Sequence, residues 1–425
     1  MTATRLALGP LSALGLGRFG YGLFVPAMAE QLHWSLADAG GLTVANGLGY
    51  LAGAAVAARM ARRIGLTAAF RTGLALTAAA LAALAVSGTY PALTAARAVG
   101  GFAGALVFVS GAALATDLAR TTASLTPVTI YFGGAGVGIV LAGGVVPLLL
   151  HGHPERWPLG WWLLAITATL AAAGGWHTTT PRRPRAAVRS GRRREAAPWP
   201  VAIAYLLFGA GYLGYLTFLS AYLSANRTPV AVTSLTWVLI GLSSTSAPAL
   251  WGRAIRRWRG TRALAMLLAG VSLAAALPLL AHHAVLAAAS ALLFGATFMM
   301  IPAAVTAYVS ARTPSGTDAT GTLGFLTVLF AAGQTLGPWL CGLLADRTTP
   351  AAALAWTTAV CAAAAVLAMT KTIKPGRGSD QAGARGVGGA GRSGAGDRSK
   401  VTDSPAATVT SLLKWLKVTG RSSAA

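Results

Sequence analysis

Gly15-Leu-Gly-Arg-Phe-Gly-Tyr21 returns 194 residues later as Gly209-Ala-Gly-Tyr-Leu-Gly-Tyr215, and Phe24 is matched by Phe218. At the same offset Arg59, Arg62 and Arg63 fall on Arg253, Arg256 and Arg257, Gly101 on Gly295 and Gly143 on Gly337. Glycine coincidences are cheap in a Gly/Ala-rich chain. An ungapped match of Tyr, Phe and an arginine triplet is not, so the chain reads as a duplication.

Composition says what kind of unit was duplicated. Of 425 residues, 55% are hydrophobic and 10% charged, against about 25% charged in soluble domains. This excludes a water-soluble enzyme and a disordered or fibrous chain. The 52 glycines suit membrane helices, whose close packing replaces the hydrophobic effect. Stretches free of Asp, Glu, Lys and Arg occupy 39–58, 72–96, 98–116, 121–154, 157–181, 196–226, 228–252, 263–311, 319–345 and 348–370. A bilayer crossing needs about 20 apolar residues, so 263–311 holds two, divided at Pro278 and His282-His283. A twelfth crossing spans 6–29, interrupted only by Arg18. Gly88-Thr-Tyr-Pro91 is the turn between two of the twelve. Arg5 and Ala27-Met-Ala29 imitate a signal peptide, but the copy at 209–218 argues that the segment is kept.

The expected fold is all-α and integral to the membrane, with twelve transmembrane helices in two pseudo-symmetric six-helix halves of parallel topology. The expected divisions are 1–176, a basic linker at 177–200, 201–370, and a disordered basic tail at 371–425. Within the tail, 409–418 is either a basic amphipathic helix on the inner leaflet or unstructured.

Thirty-four basic residues against ten acidic give a net charge of +24, a balance that elsewhere points to nucleic acid. Placement decides against it. With both termini inside, 29 basic residues fall on the inner side and three in outer loops (Arg156, Arg227 and Arg347). That bias is the positive-inside signature. The expected location is the cytoplasmic membrane, multi-pass, with both termini cytoplasmic. Anionic headgroups are then the partners of the basic loops.

Catalytic signatures are missing. Cys341 and Cys361 lie in apolar runs, the six histidines show no metal spacing, and no HExxH, nucleophile elbow, P-loop or dinucleotide fingerprint occurs. Neither an enzyme nor a cofactor is expected, and ATP is not a direct energy source. A membrane-embedded enzyme would need convergent acids, yet all ten acids lie at span ends, in loops or in tails. A small-molecule carrier working as a monomer is the expectation, with proton coupling left open.

Polar side chains inside spans mark its site. Arg18 lies near the midplane, where an arginine costs about 2.5–3.5 kcal/mol on insertion scales. Arg97 is closer to a span end. Tyr21 is three residues from Arg18, and Asn46 and Tyr50 are four apart, so each pair shares a face of a regular helix. Tyr212 and Tyr215 occupy the repeat positions of Arg18 and Tyr21, and Tyr131 and Gln334 lie within other apolar spans. These nine form the expected substrate site. Asp117 and Asp318, near inner span ends, are expected to act in gating with Arg62 and Arg256. Trp161, Trp162, Trp199, Trp251 and Trp258 are expected as interfacial anchors.

Six plus six helices around a basic central loop resemble the major facilitator superfamily. Arg97-Ala-Val-Gly-Gly101 is similar to its RxxxG motif, whose arginine the resemblance links to proton coupling. Arg59-Met-Ala-Arg-Arg-Ile-Gly65 occupies the place of the GxxxDRxGRR loop, with Arg62 standing where the aspartate belongs and Arg256 likewise in the second half. Gly134, Gly143 and Pro147 echo the antiporter glycine motif without its terminal GPxxGG. The chain most resembles the YbfB/YjiJ-like branch. Gly15–Tyr21 with Pro26, Ala45-Asn-Gly-Leu-Gly-Tyr50-Leu-Ala-Gly53, Tyr131–Gly138 and Gly333–Pro338 with Ala345-Asp-Arg347 carry that likeness. What it implies is a secondary transporter. The charge imbalance within the spans then favours a small organic anion or zwitterion held by Arg18 with Arg97 in support. Efflux of amphiphilic compounds past the tyrosines is the alternative.

Overall fold

The computed structural model describes residues 2–124, 126–176, 199–258, 260–312 and 319–370. Residues 177–198 of the expected linker, the tail and Asp318 lie outside them; Trp199 and Pro200, expected in the linker, begin a helix instead. Every element in the described residues is helical.

Among the described residues eleven helices are long and apolar enough to cross a bilayer. The twelfth crossing, the first in the chain, is broken. Helix α1 (Thr2–Pro10) runs into nine residues of π-helix (Leu11–Phe19), a 3-10 turn (Gly20–Leu23) and α2 (Val25–Leu32). The first half continues with α3 (Leu36–Ile64), α4 (Leu66–Val86), α5 (Tyr90–Thr121), α6 (Thr126–Leu150) and α7 (Trp157–Trp176). The second half contains α8 (Trp199–Ala225), α9 (Val230–Arg257), α10 (Arg262–Leu280), α13 (Ala319–Arg347) and α14 (Ala351–Met369). Between α10 and α13, α11 (Ala284–Phe298) and α12 (Ile301–Arg312) form one interrupted crossing. The break expected at Gly88–Pro91 falls at 87–89, with Tyr90 and Pro91 opening α5; His282-His283 lies between α10 and α11 as read, whereas Pro278 stays inside α10.

The duplication is visible in the packing. A Cβ added to Gly101 on α5 would strike the main-chain carbonyl of Asn46 on α3. One added to Gly295 on α11 would strike that of Ile240 on α9, and 240 is the repeat position of 46. Both crossings therefore need a residue without a side chain for the backbones to meet. In the first crossing the close approaches to another helix's main chain are made by Gly15, against Ala135 and Gly138 of α6, and Gly22, against Leu216 of α8. Gly17 has only ordinary contact distances around its missing Cβ, 3.4 Å to Ser12 and 3.9 Å to Leu81.

The halves meet where α6 packs on α9 and α3 on α13. Ser35 and Asp38 form a capping box at the start of α3. Asp346, from the end of α13, accepts hydrogen bonds from the amides of Leu36 at 2.7 Å and Ala37 at 2.8 Å. A carboxylate from one half thus caps a helix of the other, where exposed amides and the helix dipole favour negative charge. This contact lies at the end of the bundle opposite Thr2 and Met369, hereafter the far end.

One expected anchor is corrected. Trp161 is fully buried, stacked on Phe24 with centroids 3.9 Å apart. Its ring packs against Tyr21 and Phe24 of the irregular first crossing. Trp162, Trp199 and Trp258 are exposed on the bundle surface.

Candidate functional site

The irregularity of the first crossing begins in its sequence. Glycines at 15, 17, 20 and 22 remove the side-chain constraint that holds a helix to one register. The amide of Gly20 bonds to the carbonyl of Gly15, a five-residue step, while the amide of Phe24 bonds to Tyr21, a three-residue step. Tightening from five to three leaves carbonyls at the junction short of main-chain donors. π-Helical stretches are rare and concentrate at functional positions for this reason.

Arg18 sits at that junction. It is 8% exposed, and its Nη2 donates to Oε1 of Gln334, on α13 of the other half, at 3.0 Å. The hydroxyl of Tyr212 on α8 donates to the same oxygen, also at 3.0 Å. Positions 18 and 212, equivalent in the repeat, therefore converge on one acceptor. The guanidinium lies over Tyr50, 4.8 Å from the ring centroid, and its Nε has no protein acceptor. Gln334 is neutral, so the pair keeps its full positive charge.

An aromatic wall continues from Tyr212. Its ring stacks on Phe208 at 4.8 Å and Phe330 at 5.7 Å, and Tyr205 stacks on Phe330 at 4.8 Å. Phe298, at the α11–α12 break, lies 6.1 Å from Tyr212 and 5.8 Å from Phe19. The phenylalanines are absent from the sequence expectation. The spacing of Tyr205, Phe208 and Tyr212 along one helical face was the readable signal.

The structure brings together four of the nine expected residues: Arg18, Tyr50, Tyr212 and Gln334. Arg97 lies apart, within the first half. Its Nη1 donates to the carbonyl of Gly17 at 2.6 Å, and its guanidinium lies 4.3 Å from the centroid of Tyr21. It serves one of the carbonyls at the register change. Asn46 donates to the main-chain oxygen of Arg97 at 3.1 Å. Tyr21 gives its hydroxyl proton to Ala39 at 2.9 Å and stacks on Trp161. The expected shared face of Arg18 and Tyr21 is thus corrected: the three-residue rule holds for a regular α-helix, and this segment changes register between them. Tyr131 donates to Val107 at 2.9 Å within the first half. Tyr215 lies 2.6 Å from the hydroxyl of Ser290, which donates to Ala274. Those hydroxyls are committed to the fold.

Of the expected gating residues, Arg62 is exposed at the end of α3 and Arg256 lies on α9. Asp117 pairs with Arg120 one turn along α5 at 3.7 Å, with both side chains largely exposed. Asp346 was not among the expected site residues, and it is the acid that bridges the halves. Among the described residues no group of His, Cys, Asp and Glu is arranged to hold a metal ion.

Comparison with known proteins follows from this geometry. Among solved structures, the nucleoside transporter NupG superposes with a TM-score of 0.66 at 15% identity, covering 87% of this chain and 97% of that one. A bacterial homologue of the human lysosomal transporter Spinster, inward-facing and unoccupied, gives 0.60 at 15% identity, with 86% and 94% covered. The D-xylose–proton symporter gives 0.60 at 16% identity, with 86% and 95% covered. At such identities the likeness establishes the fold. Among curated protein sequences, none matches. The sequence profile described as "Uncharacterised MFS-type transporter YbfB" matches residues 10–373. With the duplicated six-helix halves and a profile covering most of its length, the chain belongs to the YbfB family of major facilitator transporters.

Proposed function

We propose that the chain is a secondary transporter that moves a small organic anion, or a zwitterion bearing a carboxylate, by alternating access between its halves. One observation carries this reading: a buried arginine at the meeting of the halves is bonded to a neutral amide and keeps an unpaired N–H. Such a cation attracts an anion into a low-dielectric site, and its planar fork suits a carboxylate. Binding would replace the contact to Gln334, so the solute would loosen one link between the halves as it enters. Arg97 takes no part in this contact, so Arg18 alone supplies the attraction.

The same reading is of a monomer in the cytoplasmic membrane with both termini on the inner side. The 29-to-3 distribution of basic residues supports cytoplasmic termini. A reporter fused after residue 371 and active only in the cytoplasm should therefore light up, and one active only outside should stay dark. A reversed pattern ends this orientation. In it the far end is outer, closed by Asp346.

A second reading, efflux of amphiphilic compounds, is favoured by the aromatic wall from Tyr205 to Phe330. Reconstituted vesicles offered carboxylates, neutral solutes and organic cations separate the two. Carboxylates should be taken up at least about tenfold faster, a preference worth ~1.4 kcal/mol. Preference for cations transfers the proposal to the second reading.

A further inference from the structure

Beyond the contact of Gly22 with Leu216, toward the far end, the halves part around a cavity of about 440 Å³. The first half lines it with Leu23, Glu30 and His151, the second with Ser220, Ser224 and Thr233, among others. Leu23 and Ser220 are buried and form its floor, while Glu30, His151 and Ser224 are exposed at its mouth. Small-molecule sites run from about 300 to 1,000 Å³, so this one has room for a small organic solute. Arg18 precedes Gly22 in the first crossing, so the closed seam stands between it and the cavity.

The charge here is opposite to that of Arg18. Glu30 is the one carboxylate in the lining, no lysine or arginine joins it there, and among the described residues it forms no ion pair. A sphere of this volume is about 9 Å across, close to the Debye length of ~8 Å at physiological salt, so Glu30 acts throughout the cavity. Ser220 accepts the indole N–H of Trp237 at 2.9 Å, which fixes its oxygen at the floor. Ser224 and Thr233 add two more hydroxyls. An ammonium has three donors and no acceptor, and a carboxylate among hydroxyl oxygens answers that inventory.

We propose that this cavity captures the ammonium group of the transported solute, with Glu30 as its counter-ion and the hydroxyls as further acceptors. This role rests on the reading of Arg18 as the carboxylate site, and it narrows the cargo from a plain anion to a zwitterion. A plain anion arriving from the far end meets the negative charge of Glu30 first. A plain cation is held there and then turned back by Arg18. A solute carrying both charges is attracted at each station in turn. While Gly22 rests on Leu216 it waits outside, and opening of that seam lets it pass inward.

The test uses the full-length protein in detergent and three probes that share one phenyl body: phenethylamine, phenylalanine and 3-phenylpropionate. Binding is followed by calorimetry near neutral pH, with the unfolding temperature of each variant as a control. Phenethylamine should bind, and Glu30→Gln should weaken it at least about tenfold, the loss of a hydrogen bond to a charged group. Because Glu30 is exposed, that variant should fold normally. Arg18→Gln should leave phenethylamine binding intact, which separates the cavity from the deeper site. Phenylalanine should bind more tightly than 3-phenylpropionate, and Glu30→Gln should erase the difference. Absent phenethylamine binding, or binding indifferent to Glu30→Gln, overturns the proposal. So does 3-phenylpropionate binding as tightly as phenylalanine. Equal binding of 3-phenylpropionate by the wild type and Arg18→Gln is a separate failure: it ends the carboxylate reading of Arg18, and with it the zwitterion, while the ammonium site stands on the phenethylamine result.

Discussion

Arg18→Lys is expected to yield an inserted, folded protein whose transport of a carboxylate solute falls by about 10- to 100-fold, the loss of one hydrogen bond to a charged group, ~1.5–3 kcal/mol. Lysine keeps the charge but not the planar fork. In the wild type Nη2 reaches Gln334 while the guanidinium face lies on Tyr50, and an ammonium does not reproduce both contacts. The measurement is initial uptake into vesicles, with expression and unfolding temperature as controls. Unchanged uptake would remove Arg18 from the site and with it the case for an anionic cargo.

Gly22→Val is expected to act on the other half of the cycle. A Cβ at Gly22 would strike the main-chain carbonyl of Leu216, on α8 of the second half. A main-chain atom in a packed helix does not step aside, so the added side chain holds the halves apart at the far end. Thr43 and Thr217 face one another across the same seam, 3.4 Å apart. A cysteine at Thr43 should be labelled by a membrane-impermeant thiol reagent about tenfold faster in Gly22→Val, equivalent to a population shift of ~1.4 kcal/mol. Transport should fall in parallel. The native background is low, because Cys341 and Cys361 are both buried. Slow labelling with normal transport would mean that this contact is no part of closure.

The fold was legible because its two signals are global. Apolar length gave the crossings, and the 194-residue offset gave the halves; both survive local irregularity. Site residues were legible as a set and less so as an arrangement. Arg18, Tyr50, Tyr212 and Gln334 are polar groups inside apolar spans, and they do meet. Tyr131 and Tyr215 satisfy the same criterion and spend their hydroxyls on carbonyls or serines nearby. Sequence counts a hydroxyl without seeing its acceptor. Arg18 and Tyr21 were placed on one face by a rule for α-helices, and nothing in spacing alone reveals a π register. The four glycines at 15, 17, 20 and 22 were the clue. Asp346 escaped for another reason: it lies at a span end, where acids are common, and its partners are main-chain amides that no residue type advertises.

That last contact bears on how this family can vary. Asp346 grips the start of α3 through the N–H groups of positions 36 and 37, and every amino acid except proline offers the same N–H there. Substitutions at 36 and 37 are therefore free to drift without compensating change at 346. Correlated mutation between the two helices should be weak at a point where their mechanical dependence is strong. A contact map inferred from covariation would pass over this clasp, and only the carboxylate itself would show its constraint.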